Sequence, residues 1–362
     1  PDDVLIPLIR KYNDMGVKAP EMVKYIRQQV GAEYGISVST VKKRIATHNI
    51  PTVRRQQHTP ETIMDEVREI KKLKPDVGSR TLVSLLRQQC NIFVTEQYLA
   101  AGVNENWTMD QHDKARKFGI ALHVCVEPFS GYVIWAKAWH TNRNPRVVAG
   151  WYLEAVRKLE AIPMFTQSDP GTENFGVANI HTMIRQSLDA ALANFIQHRW
   201  MRKHQNIKPE IFWSGFWRNF IPGFENLFMQ GGPNGEGWYN DRDDLQTLVY
   251  RWIVIPWFQD HLDSYIYLFN HTKCRASKNK ILPQGKAPVL IFQYPQLSDG
   301  LDFKLPIKPD SPILKRVEDE FAPPDDPVFQ LVPPEFDAHA KEVYNRIGAP
   351  DQISVDNLWD VF

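Results

Sequence analysis

The sequence predicts an all-α front followed by an α/β body, in which a mixed sheet is flanked by helices. Three observations predict this. Residues 3–50 and 59–100 each carry apolar residues at helical spacing in a three-helix pattern. Two strand-like runs, 120–126 and 132–139, are joined by the turn-forming Glu127-Pro128-Phe129-Ser130-Gly131. From Pro145 onward, helical and strand-like stretches alternate. The 362 residues are enough for several cores. They divide by texture at 1–50, 51–103, 104–295 and 296–362.

The first helix places Val4, Leu5, Leu8, Ile9 and Tyr12 on one face and stops at Gly16. The second begins near Pro20, a residue suited to a first helical turn, and turns Met22, Val23, Ile26 and Val30 inward. After Tyr34-Gly35-Ile36, a short third helix is capped by Ser37 or Ser39. Two helices, a tight turn and a basic third helix describe a helix-turn-helix. Ser39, Thr40, Lys42, Lys43 and Arg44 would then face DNA, while Val38, Val41 and Ile45 hold the helix to its base. A plain three-helix bundle with a solvated basic face fits the same residues. Residues 51–58 are a polar, basic connector. A second unit opens at Thr59-Pro60-Glu61, continues through Ile63, Val67, Ile70 and Leu73, and adds helices over 79–89 and 95–100. It suits either a second helix-turn-helix or simple packing.

In the body, the first strand covers 106–110 and ends at Asp110. The hairpin strands follow, then an amphipathic helix over 145–159 and a strand over 164–168 that ends at Asp169-Pro170-Gly171. A helix over 172–193, a strand over 194–200 and a helix from Pro209 complete the alternation. Residues 241–270 are again helical. Past Leu301, nine prolines and little periodicity suggest an extended wrap or a partner-binding segment.

Composition narrows the class. Hydrophobic residues at 43% and charged residues at 23% are ordinary for a soluble globular protein. Apolar runs such as 253–258 are too short to cross a bilayer, and no basic-then-apolar stretch opens the sequence, so secretion is not expected. Cys90, Cys125 and Cys274 are scattered and odd in number, which suits a reducing compartment and no disulfide framework. No C-x-x-C pair is present, which argues against a Cys-rich zinc site. Residues 1–100 hold 16 basic against 11 acidic side chains, and residues 301–362 hold 6 against 13. A basic front end suits a polyanionic partner.

Three acids fall where a metal site could be built: Asp110 and Asp169 at strand ends, and Glu210 in a first helical turn. Phosphoryl transfer by two hard cations about 3.5–4 Å apart needs carboxylate oxygens. On that reading Asp110 shares an ion with Asp169 and Glu210 completes the second site. Singly, each has a bland explanation: Asp-Pro-Gly is a common turn, Glu210 suits a helix dipole, and Asp110 suits a loop cap.

The motifs around the acids are Trp107-Thr108-Met109-Asp110, Gln167-Ser168-Asp169-Pro170-Gly171-Thr172-Glu173-Asn174 and Asn206-Ile207-Lys208-Pro209-Glu210-Ile211-Phe212-Trp213. They resemble the three acidic motifs of the DDE integrase/transposase superfamily, W-x-x-D-G, R-x-D-x-G-T-E-N and N-x-R-I-E-x-x-W. The nearest likeness is to integrase-core-domain proteins of transposon origin that are abundant in fungi. Glu127 to Tyr132 likewise resembles that family's D-x-F-S-R hairpin. Fifty-eight residues lie between the two aspartates and forty between Asp169 and Glu210, spacings the superfamily accommodates.

The resemblance spans about 104–295. It implies a ribonuclease-H-like catalytic core, with Asp110, Asp169 and Glu210 as catalytic ligands to two Mg2+ or Mn2+ ions. It also implies DNA strand cleavage and strand transfer, a homo-oligomer and no membrane partner. A nuclear location follows from the DNA reading. Basic residues near the acids, His198, Arg199, Arg202, Lys203, His204 and Lys208, are candidate DNA contacts, as are Lys273, Arg275, Lys278 and Lys280 further on. Departures are Gln111 for Gly, Gln167 for Arg, Glu127 for Asp, Lys208 for Arg and Pro209 for Ile. Asp113 is a possible substitute ligand, and Glu173 is expected to point away from the site. None of these departures removes a ligand. They also suit a domesticated, catalytically inactive DNA-binding protein using the core as a scaffold, or a nuclease without strand joining.

Overall fold

The computed structural model describes residues 2–362 apart from 32, 57, 59–60, 75–76, 78, 95–101, 202–205, 233–234, 277–281 and 351. The expected helix over 95–100, the Thr59-Pro60 cap, and Arg202, Lys203, His204, Lys278 and Lys280 lie outside the described residues. The chain forms two units, residues 1–102 with 296–301 and residues 103–295 with 302–362.

In the first unit, α1 (Asp2–Asp14), α2 (Ala19–Val30) and α3 (Val38–Thr47) converge on Leu5, Ile9, Tyr12, Met22, Ile26, Ile36, Val41 and Ile50. Gly16, at φ +77°, lets the chain reverse between α1 and α2, a conformation glycine adopts without a Cβ penalty. Ser37 is the cap of α3: its hydroxyl accepts the Thr40 N–H at 3.1 Å. Val4 and Val30 stay exposed at the ends of their helical stripes. The short α4 (Val53–Gln56) is tied to the chain after the next helix pair, where Gln56 accepts from Phe93 N–H at 2.7 Å and donates to Asn91 O at 2.8 Å. Of α5 (Met64–Leu73) and α6 (Ser79–Cys90), the apolar faces use Val67, Leu82, Val83 and Leu86, with Ile63 just ahead of α5. Leu73 is exposed; Lys71 takes the inward position and donates to Val77 O at 3.2 Å.

The second unit is built on β1 (Asn106–His112), β2 (Ala121–Val126) and β3 (Val133–Trp139), then α7 (Pro145–Leu159), β4 (Ala161–Ile162), β5 (Phe165–Ser168), α8 (Phe175–Leu188) and β6 (His198–Trp200). The five-stranded sheet runs β3-β2-β1-β5-β6; β1, β2 and β3 pair antiparallel, whereas β1 with β5 and β5 with β6 pair parallel. Both faces are covered, so every residue of β2 is buried. One face packs Trp107, Met109 and Cys125 against α7 and α8. The other packs Leu122, Val124 and Val126 against α9 (Ile207–Asn219), α10 (Ile221–Gly231) and the 28-residue α11 (Asp244–His271).

The outer edge of β3 is closed by side chains of α11. Gln259 accepts from Ala138 N–H at 2.7 Å and donates to Ala136 O at 3.1 Å, while Asn270 bonds both N–H and C=O of Val133 at 2.9 Å. These amides occupy backbone groups that an open edge would offer to another strand.

Three boundaries differ from expectation. β1 continues to His112 because its antiparallel pairing with β2 runs to His112↔Leu122, so Asp110 lies inside the strand. The helix after Asp169 divides, with Thr172–Asn174 in a 3-10 turn before α8. The strand expected over 194–200 is confined to β6, with Phe195 and Ile196 exposed.

The proline-rich segment is ordered. After α12 (Pro288–Gln293), β7 (Leu305–Pro306) pairs with β4, and α13 (Pro312–Phe321) buries Leu314 and Val317 against α7 and α8. Arg157 on α7 meets Glu318 with two bonds of 2.6 and 2.7 Å. α14 (Pro334–Arg346) and α15 (Leu358–Val361) follow, and Leu358 joins the core beside α10. The prolines start helices here, standing in the first turn of α13 and α14 where no N–H is needed. That is why they do not read as an extended wrap. Among the described residues, no helix is long and apolar enough to cross a membrane.

Candidate active site

The parallel pairing of β1 with β5 ends at Met109↔Ser168. Asp110 follows Met109 in β1 and Asp169 follows Ser168 at the end of β5, and the Asp169 charge acts on Asp110. β1 keeps its antiparallel neighbour while losing its parallel one, so Asp110 stands at the lip of the sheet. Asp169 opens the loop Asp169-Pro170-Gly171 and is exposed.

Glu210 comes from α9, and that helix is latched to the same strand twice. The Asn206 amide, buried just before α9, donates to Met109 O at 2.8 Å. The Trp213 indole N–H donates to Asp110 Oδ2 at 3.0 Å. Glu210 and Trp213, three residues apart, share a helix face. The Asn and Trp of the third motif therefore carry the helix that carries the acid; neither was given this role from the sequence, although their fixed offsets from Glu210 were the available signal.

The three carboxylates converge electrostatically. Burial, the Asp169 charge and, more weakly, Glu210 push Asp110 up to about 7, against the opposing bonds from Trp213 and the Gln111 N–H. Negative charge gathered around a partly buried carboxylate is what a bound cation relieves. All three groups supply the hard oxygen donors that Mg2+ and Mn2+ prefer. Among the described residues, no three His, Cys, Asp or Glu side chains stand in a metal-holding arrangement as they are. Asp110, Asp169 and Glu210 are the residues whose carboxylates could supply such donors.

Glu173 differs from expectation. It is buried, bonded by Asn174 Nδ2 at 2.9 Å, and held above the usual carboxylate range by burial and by the Asp113 and Asp169 charges. Gly171 makes room for it, since a Cβ there would collide with its carboxylate. Asp113, the candidate substitute ligand, is taken up by Asn142 at 3.1 Å and by Arg116 and Arg143 at 3.3 and 3.5 Å.

His112, next but one to Asp110, stacks on Trp213 with ring centroids 4.7 Å apart and accepts from the Trp217 indole. Burial and the nearby Lys114 lower it to about 4, so it is neutral at pH 7. His198 is a second correction. It is buried and neutral, lowered to about 3 by burial, and its two ring nitrogens bond Thr166 and Ser168. It braces β5 under Asp169 and does not face solvent as a DNA contact would.

Of the remaining candidate DNA contacts, Ser39, Lys42 and Lys43 are exposed, and Thr40 is half-buried. Arg44 is half-buried and ion-paired with Asp2 at 2.8 Å, which occupies part of its charge. Arg199 lies over the Phe165 ring at 4.3 Å. Lys208 is half-buried, and its charge favours the ionised form of Glu127.

The mixed five-stranded sheet, its flanking helices and the helical region before it are those of a ribonuclease-H-like integrase core. The integrase core domain model matches residues 97–293, more than half of the chain, and the chain belongs to that family, within the integrase/DDE superfamily. No curated protein matches the sequence. Cores of this family generally use divalent metal ions, and its proteins bind DNA.

Proposed function

We propose that this protein is a DNA recombinase of the transposase/integrase type that cleaves and joins DNA strands. What supports the reading is the integrase core match over residues 97–293, together with the charges of Asp169 and Glu210 acting on Asp110 from two other segments. Two Mg2+ or Mn2+ ions held by these acids would activate the attacking oxygen and steady the leaving one. Asp110, latched to Trp213, fixes one side of the site, and Asp169 and Glu210 close it from the loop after β5 and from α9. Lys42 and Lys43 on α3, with Ser39, Thr40 and what remains of the Arg44 charge, serve as phosphate contacts that fix register. Arg199, with Arg202 and Lys203 close to it in sequence, supplies further contacts of this kind. Action on two element ends calls for a homo-oligomer, and a DNA substrate places the protein in the nucleus.

The test is Mn2+-dependent nicking and strand transfer on supercoiled plasmid, comparing the parent with Asp169→Asn. Activity in the parent alone is expected, with Asp169→Asn reduced by about 10^3-fold or more, the loss expected when transition-state charge stabilisation goes. DNA binding without Mn2+ dependence, silence in both proteins and no Mn2+ uptake would instead establish a domesticated DNA-binding protein. Nicked product without joined product would make it a nuclease.

A further inference from the structure

We propose that His112 and Trp217 are positioning residues for Asp110. Held by the Trp217 indole, the imidazole sets the plane of Trp213, and with it the direction of the indole N–H that fixes the Asp110 carboxylate. The consequence for a divalent ion rests on the recombinase reading; the orientation of the carboxylate stands apart from it.

The rings form a column between one strand and one helix. Asp110 and His112 are two apart on β1 and share a face of the sheet, while Trp213 and Trp217 are four apart on α9 and share a face of the helix. Trp213 donates to Asp110 Oδ2 at 3.0 Å, and Trp217 donates to His112 Nε2. The imidazole meets both indoles. Its centroid is 4.7 Å from that of Trp213 with the planes 15° apart, and 5.3 Å from that of Trp217 at 57°. Lys114, two residues past β1, lies over Trp217 with its ammonium 5.6 Å from the ring centroid.

Each contact removes a different freedom. Buried Trp213 meets Phe212 and Phe216 at steep angles, 62° and 78°, with centroids 5.1 and 5.4 Å away. His112 is its near-parallel neighbour, so the imidazole holds the indole plane. An indole N–H lies in that plane, and a fixed plane therefore aims the donor. A carboxylate bound through one oxygen to an aimed donor no longer turns freely, so its remaining lone pairs keep one direction. The plane of His112 must be held in its turn. Phe at this position would stack equally well but would offer no acceptor. Indole is a donor only, so Nε2 presents its lone pair to Trp217 and the proton of the neutral ring sits on Nδ1. Trp217 thus acts on Asp110 through His112 and Trp213, one helical turn away from the carboxylate itself.

The test is exchange of the Trp213 indole N–H in the metal-free full chain, read by 1H–15N NMR with the signal assigned by Trp213→Phe. The parent is compared with His112→Ala and Trp217→Phe. Indole exchange should be about tenfold faster or more in both variants, while the backbone amides of 121–126 stay protected. Unchanged indole exchange in Trp217→Phe overturns the proposal. The ring 15N spectrum of the parent at pH 7 should show His112 with Nε2 unprotonated; a proton there overturns it too, since Trp217 could not then donate. The double variant His112→Phe with Trp217→Phe removes donor and acceptor together and keeps both rings. Its indole exchange should stay within about threefold of Trp217→Phe. A much larger rise would mean that the imidazole acts on Trp213 without Trp217, and Trp217 would lose its role. Should His112→Ala fail to fold, Trp217→Phe and the parent's ring spectrum decide the matter alone. Mn2+ titration of the same set, with Asp169→Asn beside it, separates the two readings. In a parent that takes up Mn2+, Trp217→Phe should raise the dissociation constant about tenfold or more, as loss of an orienting partner does. An unchanged constant overturns the positioning role. Loss of Mn2+ binding in Asp169→Asn with indole exchange unchanged in both ring variants upholds the acid site and overturns the positioning. Faster indole exchange in the variants of a parent that takes up no Mn2+ upholds the orientation and overturns the acid site.

Discussion

Asp110 holds its proton to about pH 7, chiefly because it is buried and then because Asp169 faces it. In the unfolded chain it would release that proton near its ordinary value of 3.8. Between about pH 4 and 7 the folded protein therefore binds more protons than the unfolded one, and stability falls as pH rises through that window. Buried Glu127, also raised to about 7, adds to the slope in the same direction. Asp110→Asn removes the first contribution alone. In the metal-free protein at pH 8, Asp110→Asn should be more stable than the parent by on the order of 2 kcal/mol, and equal to it near pH 4. Urea unfolding at the two pH values checks this, and an equal gain at both would rule out the electrostatic explanation. Gly171 offers a second residue-scale test. Its φ of −162° is open to any residue, so its requirement is space: a Cβ meets the Glu173 carboxylate. Gly171→Ala should cost about 1–3 kcal/mol, and Glu173→Ser in the same chain should recover part of it. Simple addition of the two costs would contradict the steric account.

At the scale of elements, α9 is held to β1 by two polar bonds and to the sheet by an apolar face. Asn206→Ala leaves the Met109 carbonyl without its buried donor, and Trp213→Phe leaves Asp110 without its indole N–H. Each should cost about 1–3 kcal/mol by chemical denaturation. Because both act on one helix, their combination should cost less than the sum, as expected once a first break has loosened the second contact. Strict additivity would mean that α9 does not move as a body. The same helix shows how secondary structure was readable while its purpose was not. Helical spacing and Pro209 in the first turn announced α9, but nothing local to 206–213 says which strand it will meet.

At the scale of the whole second unit, the C-terminal segment completes the core. Ile307, Leu314, Val317 and Ala322 cover the outer side of α7 and α8, and Glu318 pairs with Arg157. Removing 302–362 should therefore expose an apolar face and leave Arg157 without its carboxylate. Such a chain should lose cooperative unfolding by circular dichroism. A truncated chain that keeps its sharp transition would show that 103–295 is self-sufficient. Removal of a mere tail would have no such effect, which is how the segment's composition reads in isolation.

The sequence by itself determined the elements and their kinds. Period-two and period-3.6 patterns are local, so the hairpin strands, α7 with Pro145 at its start, and the three helices around Val41 could be read within a residue or two. The order of the acidic motifs, with their Asn, Gly and Trp companions, likewise pointed to the family. Tertiary structure decided the rest, because burial and proximity depend on residues far apart in the chain. Register placed Asp110 inside β1, where the Asp169 charge acts on it. Packing turned His198 from a basic candidate into a neutral brace and drew Glu173 inward over Gly171. The proline-rich segment misled for the same reason: proline reads as extended chain until the surface that buries Leu314 and Val317 is known, and that surface is made by α7 and α8, more than a hundred residues earlier.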